Sequence, residues 1–253
     1  MRLTTLSCSL VLAAACLALP AAAVAQKETE TVNRTVPFPN TGTLQLNNFS
    51  GRVLITGTPG RDVVVKAVRR AERDRLDHIK LDIRTEGSTV VIDANKRDDT
   101  WRERNNNVVD TEFEIGVPQD AGLRIDCFSS DVEIHGVSGE QKVHTFSGNL
   151  TVRDAKGALN LDTFSGKIDV DLTPAGVSPE LRSHTFSGDI TVRLAGDAKG
   201  EVDFTSHSGD FESDMPVLMR SSRGRHVSAA LPGGSAGHQL TFDTFSGSVR
   251  IRK

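Results

Sequence analysis

The phrase Thr-Phe-Ser-Gly occurs at Thr145–Gly148, Thr163–Gly166, Thr185–Gly188 and Thr244–Gly247, and each copy leads into a run in which apolar and polar residues alternate. Looser copies read Asn48-Phe49-Ser50-Gly51, Cys127-Phe128-Ser129-Ser130 and Ser206-His207-Ser208-Gly209. The corner positions Ser130, Gly148, Gly166, Gly188, Gly209 and Gly247 are 18, 18, 22, 21 and 38 residues apart. Self-similarity at such a period predicts stacked supersecondary units rather than a single folded knot of elements. The last interval is close to two units, so a degenerate coil is expected around residues 220–231, with Gly224 at its turn.

Each unit carries one alternating segment before the corner, as in Leu159-Asn160-Leu161-Asp162-Thr163, and one after it, as in Ile168-Asp169-Val170-Asp171-Leu172. The fold class is all-β, and two architectures fit. One is an antiparallel β-meander of hairpins. The other is a parallel β-solenoid of coils of roughly 18–22 residues, in which equivalent strands stack about 4.8 Å apart. A hairpin would leave Phe164 on the polar face. A solenoid whose apolar phase shifts at the bend would carry Phe49, Phe146, Phe164, Phe186 and Phe245 inward.

Charge favours the solenoid. The sixth residue after the corner Ser gives His135, Arg153, Asp171, Arg193 and Asp214, alternating in sign from Arg153 onward, with Arg252 after the degenerate coil. The residue two before Phe gives Asp126, His144, Asp162 and His184, then Thr205 and Asp243. Close parallel stacking disfavours like charges at equivalent positions, and a meander does so less. Glycine at Gly51, Gly148, Gly166, Gly188, Gly209 and Gly247 suits a corner that needs positive φ. The final strand, ending Arg250-Ile251-Arg252-Lys253, reads as a charged edge that would block end-to-end growth.

Upstream, residues 1–25 read as a secretory signal peptide: Arg2, an apolar stretch from Leu3 to Leu19, and Ala23-Val24-Ala25 before Gln26, with cleavage after Ala25. A lipoprotein box ending at Cys16 is the minor alternative. Residues 26–40 read as a polar leader. Residues 41–119 form an N-terminal β region with strands near Leu44–Leu46, Val53–Ile55 and Val63–Val68, a short helical turn within 69–78, and a hairpin through Glu86-Gly87-Ser88. A charged loop at 96–107 contains Trp101, and a strand follows at Thr111–Val117. Residues 120–253 are the repeats.

Removing residues 1–25 takes away Arg2 and no acid, leaving 29 basic against 33 acidic residues and a charge of −4. A weakly acidic chain does not suit nonspecific nucleic-acid binding. Past the signal no stretch is long and apolar enough to span a bilayer. With one Trp and no Tyr, stacking platforms for sugar rings are scarce. Sequons at Asn33, Asn48 and Asn149 read as chance. Cys127 stands alone in the mature chain and aligns with the inward Thr, so it is expected to be a small buried side chain.

The corner phrase followed by Asp-Val-Glu-Ile at 131–134, Lys-Ile-Asp-Val at 167–170 and Asp-Ile-Thr-Val at 189–192, and preceded by Phe113–Pro118 and Leu123-Arg124-Ile125, resembles the bacterial domain-of-unknown-function family labelled putative adhesin. The likeness runs from about Thr41 to the end, departing near Gly224 and Trp101. It implies a β-solenoid of the cell envelope and brings no catalytic residues.

No Gly-x-Ser-x-Gly elbow, His-Glu-x-x-His pair, phosphate-cradling loop or paired-Cys site is present. The sequence therefore reads as a non-enzyme without cofactor. The candidate binding residues are the outward columns Asp126, His144, Asp162, His184 and Arg153, Asp171, Arg193, Asp214. The two histidines are the only candidates for a divalent ion. The expected role is a periplasmic or secreted repeat scaffold that binds an envelope protein, a peptide or a surface polymer. A polysaccharide-active solenoid enzyme and an envelope-stress sensor module are the alternatives.

Overall fold

The computed structural model describes residues 27–39, 41–98, 107–172, 180–232 and 238–253. The signal segment 1–25, the Cys16 alternative and Trp101 lie outside the described residues. In chain order the first part contains β1 (Lys27–Pro37), β2 (Thr43–Thr58), β3 (Asp62–Glu72), the short helix α1 (Arg73–His78), β4 (Ile79–Glu86), β5 (Thr89–Arg97) and β6 (Asp110–Pro118). The repeats contribute β7 (Gly122–His135), β8 (Gln141–Ser147), β9 (Leu150–Arg153), β10 (Leu159–Ser165), β11 (Ile168–Asp171), β12 (Glu180–Ser187) and β13 (Ile190–Arg193). They continue with β14 (Gly200–Ser208), β15 (Phe211–Ser213), β16 (Leu218–Arg223), β17 (His226–Ala230), β18 (His238–Ser246) and β19 (Val249–Arg252).

The protein is all-β apart from α1, and its sheet is mixed. Equivalent segments of the repeat pair side by side in parallel: β7 with β8, β8 with β10, and β10 with β12 before the corner; β7 with β9, β9 with β11, and β11 with β13 after it. Thr145, Thr163 and Thr185 are in register, as are Val152, Val170 and Val192. Each coil thus has two faces, one formed by the strands before the corner and one by those after it. The long strands β2 and β7 run through both faces and pair along their whole length. Antiparallel pairing joins β1 to β3, β3 to β6, and β4 to β5 through Gly87 at φ 59°.

Three expectations are corrected here. Residues 27–37, read as part of a polar leader, form β1. It pairs with β3 over its length and is held by Glu30, which accepts a 2.5 Å hydrogen bond from the buried Arg69 guanidinium. The degenerate coil near Gly224 is an antiparallel hairpin, β16–β17, laid along β14, with Gly224 at φ 57° in its turn. The C-terminal strand is interior: β18 lies between β12 and β14, and β19 lies between β13 and β15. The last coil in sequence is therefore the second-last in space, inserted into the stack after the chain has looped out through the hairpin.

The core is one continuous cluster of inward Leu, Ile, Val and Phe running the length of the stack. The inserted coil is fitted by size on its β12 side. Ser183, 2 % exposed, is paired in register with the fully buried Phe242, so a small residue makes room where a large one enters. A second, small cluster of Ala71, Leu76, Ile79 and Val109 sits under α1.

Glycine at the corner has a stronger cause than φ alone. A Cβ built on Gly188 would lie 1.9 Å from the carbonyl oxygen of Gly166, and one on Gly247 would lie 1.9 Å from that of Gly188. At these glycine corners successive coils stack backbone on backbone, leaving a side chain no room whatever its torsion angle. Ser130, where β7 runs through the bend, is the corner that carries one, and its hydroxyl accepts from Asn48 Nδ2 at 3.2 Å. Gly51, Gly148 and Gly166 do take positive φ, at 122°, 149° and 159°.

Candidate functional site

The alternation in each pre-corner strand continues unbroken to the Phe. In β10, Leu159, Leu161 and Thr163 are buried, while Asn160, Asp162 and Phe164 face out. The bend comes one step later than the sequence reading assumed, at Ser-Gly, because threonine and not phenylalanine is small enough for the inner corner. The inward placement of Phe is thereby overturned: Phe49, Phe128, Phe146, Phe164, Phe186 and Phe245 are 39–46 % exposed.

These rings form a ladder. Consecutive centroids from Phe49 through Phe128, Phe146, Phe164 and Phe186 to Phe245 are 4.7, 5.0, 4.9, 4.8 and 4.7 Å apart, and all but the first pair are within 6° of parallel. His207 extends it with its ring 4.6 Å from Phe245, and Arg225 Nη2 lies 3.5 Å from His207 Nε2. Rings stacked face to face expose their edges, so the ladder presents a ribbed apolar strip. Six phenylalanines with two-fifths of their surface open amount to an exposed apolar patch on the order of 500 Å², a size that marks interaction surfaces.

Two residues before each Phe, on the same outer face, runs the Asp/His column. Register places Asn47, Asp126, His144, Asp162, His184, Asp243 and Thr205 side by side in that order. Insertion of the C-terminal coil brings Asp243 next to His184, so acid and imidazole alternate over five neighbouring strands. His144 Nδ1 is 3.8 Å from Asp126 Oδ1, and His184 Nδ1 is 3.9 Å from Asp162 Oδ1. Among the described residues no three His, Cys, Asp or Glu side chains converge on one point. Two positions further back, the same face carries Arg124 on β7, Lys142 on β8 and Arg182 on β12, with Asn160 on β10 and Thr241 on β18.

The second column lies on the other face of the coil. In space it runs His135, Arg153, Asp171, Arg193, Arg252. The insertion thus sets two arginines side by side and breaks the alternation expected from sequence order. Arg193 Nη1 leaves the column and donates to Asp169 Oδ1 at 2.6 Å, while Arg252 Nη1 donates to Asp214 Oδ1 at 2.7 Å, the column's next member beyond it. Arg193 thus pairs diagonally with Asp169 and not along the column. Toward the N-terminal end, Glu133 is held below the usual carboxylate range by the hydrogen bond from Arg52 and then by His135.

Just after each corner, side chains hold the next coil's backbone. Asp131 Oδ1 accepts from the Asn149 N–H at 2.8 Å, Asn149 Oδ1 from the Lys167 N–H at 3.0 Å, and Asp189 Oδ1 from the Ser248 N–H at 2.9 Å. The Ser248 N–H and the Arg250 guanidinium depress the Asp189 pKa. A carboxylate whose pKa is lowered on folding stabilises the fold above its unfolded pKa of about 3.9 and loses that contribution as pH falls through the folded value. Asp189→Asn is accordingly expected to be less stable than the parent at pH 7 and to show a flatter stability profile below pH 4, measured by urea unfolding.

Asn48, Cys127, Thr145, Thr163, Thr185, Thr244 and Ser206 fill the inner corner and are all buried. Burial pushes the Cys127 thiol up to about 12. The native protein is expected to leave an aromatic disulfide reagent unreacted at pH 8 and to react once unfolded in urea. Fast reaction in the native state would contradict this packing.

The coils from residue 119 to residue 252 match a single family model, described as Toastrack DUF4097, which covers more than half of the chain. The chain belongs to this Toastrack family. Among solved structures, a protein named a putative cell adhesion protein from Clostridium sporogenes aligns over 90 % of this chain and 99 % of its own, with a TM-score of 0.54 and 13 % identity. A putative adhesin from Bacteroides fragilis aligns over 88 % and 97 %, with a TM-score of 0.40 and 11 % identity. At 13 % identity the likeness to the Clostridium sporogenes protein speaks for a shared fold alone. No curated protein matches the chain. Among the described residues no helix is long and apolar enough to cross a membrane. The one residue class that sequence reasoning misplaced is the phenylalanines, and the unbroken alternation from Leu159 to Phe164 was the signal that places them.

Proposed function

We propose that this Toastrack protein is an exported, non-enzymatic component of the bacterial cell envelope. Its coils serve as a parallel β-solenoid platform that binds a protein, peptide or surface polymer in an adhesin-like role. The observation that carries the reading is the exposed Phe49–Phe245 ladder. An apolar strip of this size beside an Asp/His column and the basic residues Arg124, Lys142 and Arg182 gives the mixed lining of a recognition surface: aromatic contact area for affinity, charges for orientation. The corners repeat the same serine in coil after coil, which suits a lattice of contacts and not a single reacting centre. The exported location rests on residues 1–25, and the binding role on the ladder face.

The test is a pulldown from envelope extract with the chain beginning at Gln26, run beside two variants checked for folding by circular dichroism. A partner retained by Arg153→Glu and lost by Phe146→Ser/Phe164→Ser supports binding at the ladder. Loss only in the Arg153 variant would move the contact to the opposite face of the coil and overturn the reading.

A further inference from the structure

The two faces of the coil stack do not end together. Before the corner the sheet continues past β14 through β17 to β16, whereas after the corner it stops at β15. The inward positions after the corner are filled by Val132, Leu150, Ile168, Ile190 and Val249, each no more than 2 % exposed. In β15 their counterpart Phe211 is only half-buried, and the next inward position is Ser213 in place of Ile or Val. Across from it the hairpin packs Val227 partly against the core but leaves Met219 open. Register puts Val227 beside Phe204 and Met219 beside Ala229, on the core side, yet Met219 is 52 % exposed. A cleft of 490 Å³ lies between, with Phe204, Phe211 and Met219 on its apolar side and His207, Asp210 and Arg225 on its polar side.

The edge of β15 is open as well as the core. In its parallel pairing with β19, Asp210 accepts from the Val249 N–H and Asp214 donates to Ile251 O, both at 2.9 Å. Backbone groups alternate sides along a strand, so Phe211 and Ser213 turn their N–H and C=O groups to the other edge. Among the described residues no strand pairs there. Charge specifies what would fit. On the occupied side, β19 supplies Arg250 and Arg252, which bond to Glu212 at 3.0 Å and Asp214 at 2.7 Å. Arg250 already bridges two neighbouring strands, with Asp189 at 2.9 Å on its far side. The acidic side chains of β15 can be shared in the same way by cations on a strand laid along the open edge.

We propose that this notch is an acceptor for an extended peptide segment in which apolar residues alternate with Arg or Lys. The segment adds in parallel beside β15, its apolar side chains filling the cleft over Phe211 and Met219 and its basic ones meeting Glu212 and Asp214. This is strand addition, in which main-chain hydrogen bonds supply affinity and alternate side chains supply selectivity. The cleft meets the end of the ladder at His207 and Arg225, whereas the open edge of β15 with Glu212 and Asp214 belongs to the coil's other face.

The chain's own β19 shows the matching pattern, so the probe is the capped, fluorescently labelled peptide Ser-Val-Arg-Ile-Arg-Lys, titrated into the chain from Gln26 and followed by anisotropy. It is expected to bind at least tenfold more tightly than Ser-Val-Glu-Ile-Glu-Lys. It should also bind more tightly than the same peptide N-methylated on the backbone nitrogen of its first Arg, which in this register removes an N–H that faces β15. Met219→Lys, at a half-open position that tolerates charge, should weaken the parent peptide tenfold or more while leaving the fold intact by circular dichroism. Equal binding of the three peptides, binding unaffected by Met219→Lys, or no binding overturns the proposal. So does a concentration-dependent dimer in sedimentation that Met219→Lys dissolves, which would assign the notch to a second copy of the chain.

Discussion

Gly188→Ala is expected to lower unfolding free energy by about 3 kcal/mol, at the upper end of the cost of forcing extra volume into a packed site. The added methyl would sit 1.9 Å from the Gly166 carbonyl oxygen, part of the backbone of the neighbouring coil, so no side chain can swing away to relieve it. Relief requires the coils to part at the corner, lengthening the ladder bonds on both faces and spreading the Phe164 and Phe186 rings, now 4.8 Å apart. Gly60→Ala is the control, since the nearest atom to its new methyl is Thr58 Oγ1 at 3.6 Å, an ordinary contact. It should change stability by no more than about 0.5 kcal/mol. Gly224→Ala should fall between, at about 1 kcal/mol, because its turn demands φ 57° but has open space around it. Urea unfolding of the three variants measures the ranking, and a Gly188 variant as stable as the parent would refute backbone-on-backbone stacking.

Removing residues 238–253 is expected to abolish cooperative folding. In a stack that follows sequence order, this deletion trims one end unit and leaves the others their neighbours, as in other repeat arrays. Here it takes out the coil between β12–β13 and β14–β15, stripping β15 of its pairing with β19 and opening one edge of each of β12, β13 and β14 in the middle of the stack. It also removes Leu240, Phe242, Val249 and Ile251, all fully buried. At about 1.5–3 kcal/mol for each buried side chain, that loss is comparable to the entire stability of about 5–15 kcal/mol of a typical domain. A single sharp transition of parental amplitude in thermal unfolding of the truncated chain would contradict the insertion.

The repeat, its two segments per unit and the parallel pairing of equivalents are legible in the sequence because alternation and charge at equivalent positions are local signals read by neighbouring strands. The buried Cys127 follows from the same alignment. The order of the coils is not legible. Nothing in the residues 248–253 announces that they sit beside β13, since a Val-Arg-Ile-Arg strand satisfies an edge and an interior position equally well. The break in charge alternation at Arg193 and Arg252 is visible only after the order is known, because Arg193 takes its carboxylate from Asp169 on the diagonal. At residues 218–230 spacing alone suggests a coil where the structure has a hairpin. Its sequence lacks the Phe-Ser-Gly corner, and Gly224 turns a hairpin as readily as a coil. The ladder face was misjudged on chemical grounds: six phenylalanines suggest core, and only strict period-two counting sends them outward. Stacking covers the ring faces and leaves each residue 39–46 % exposed, which is how an outer face tolerates them.

The placement of the C-terminal coil is the claim on which the continuous ladder, the five-member Asp/His column and the open edge of β15 all depend. Disulfide trapping in a Cys127→Ser background tests it directly. Thr191 and Arg250 are register partners on adjacent strands, about 5 Å apart and within disulfide reach, whereas Thr191 and Glu212 are separated by β19 at about 10 Å. The account predicts that Thr191→Cys/Arg250→Cys cross-links on mild oxidation and that Thr191→Cys/Glu212→Cys does not. The reverse pattern would mean that the coils stack in sequence order and would contradict it.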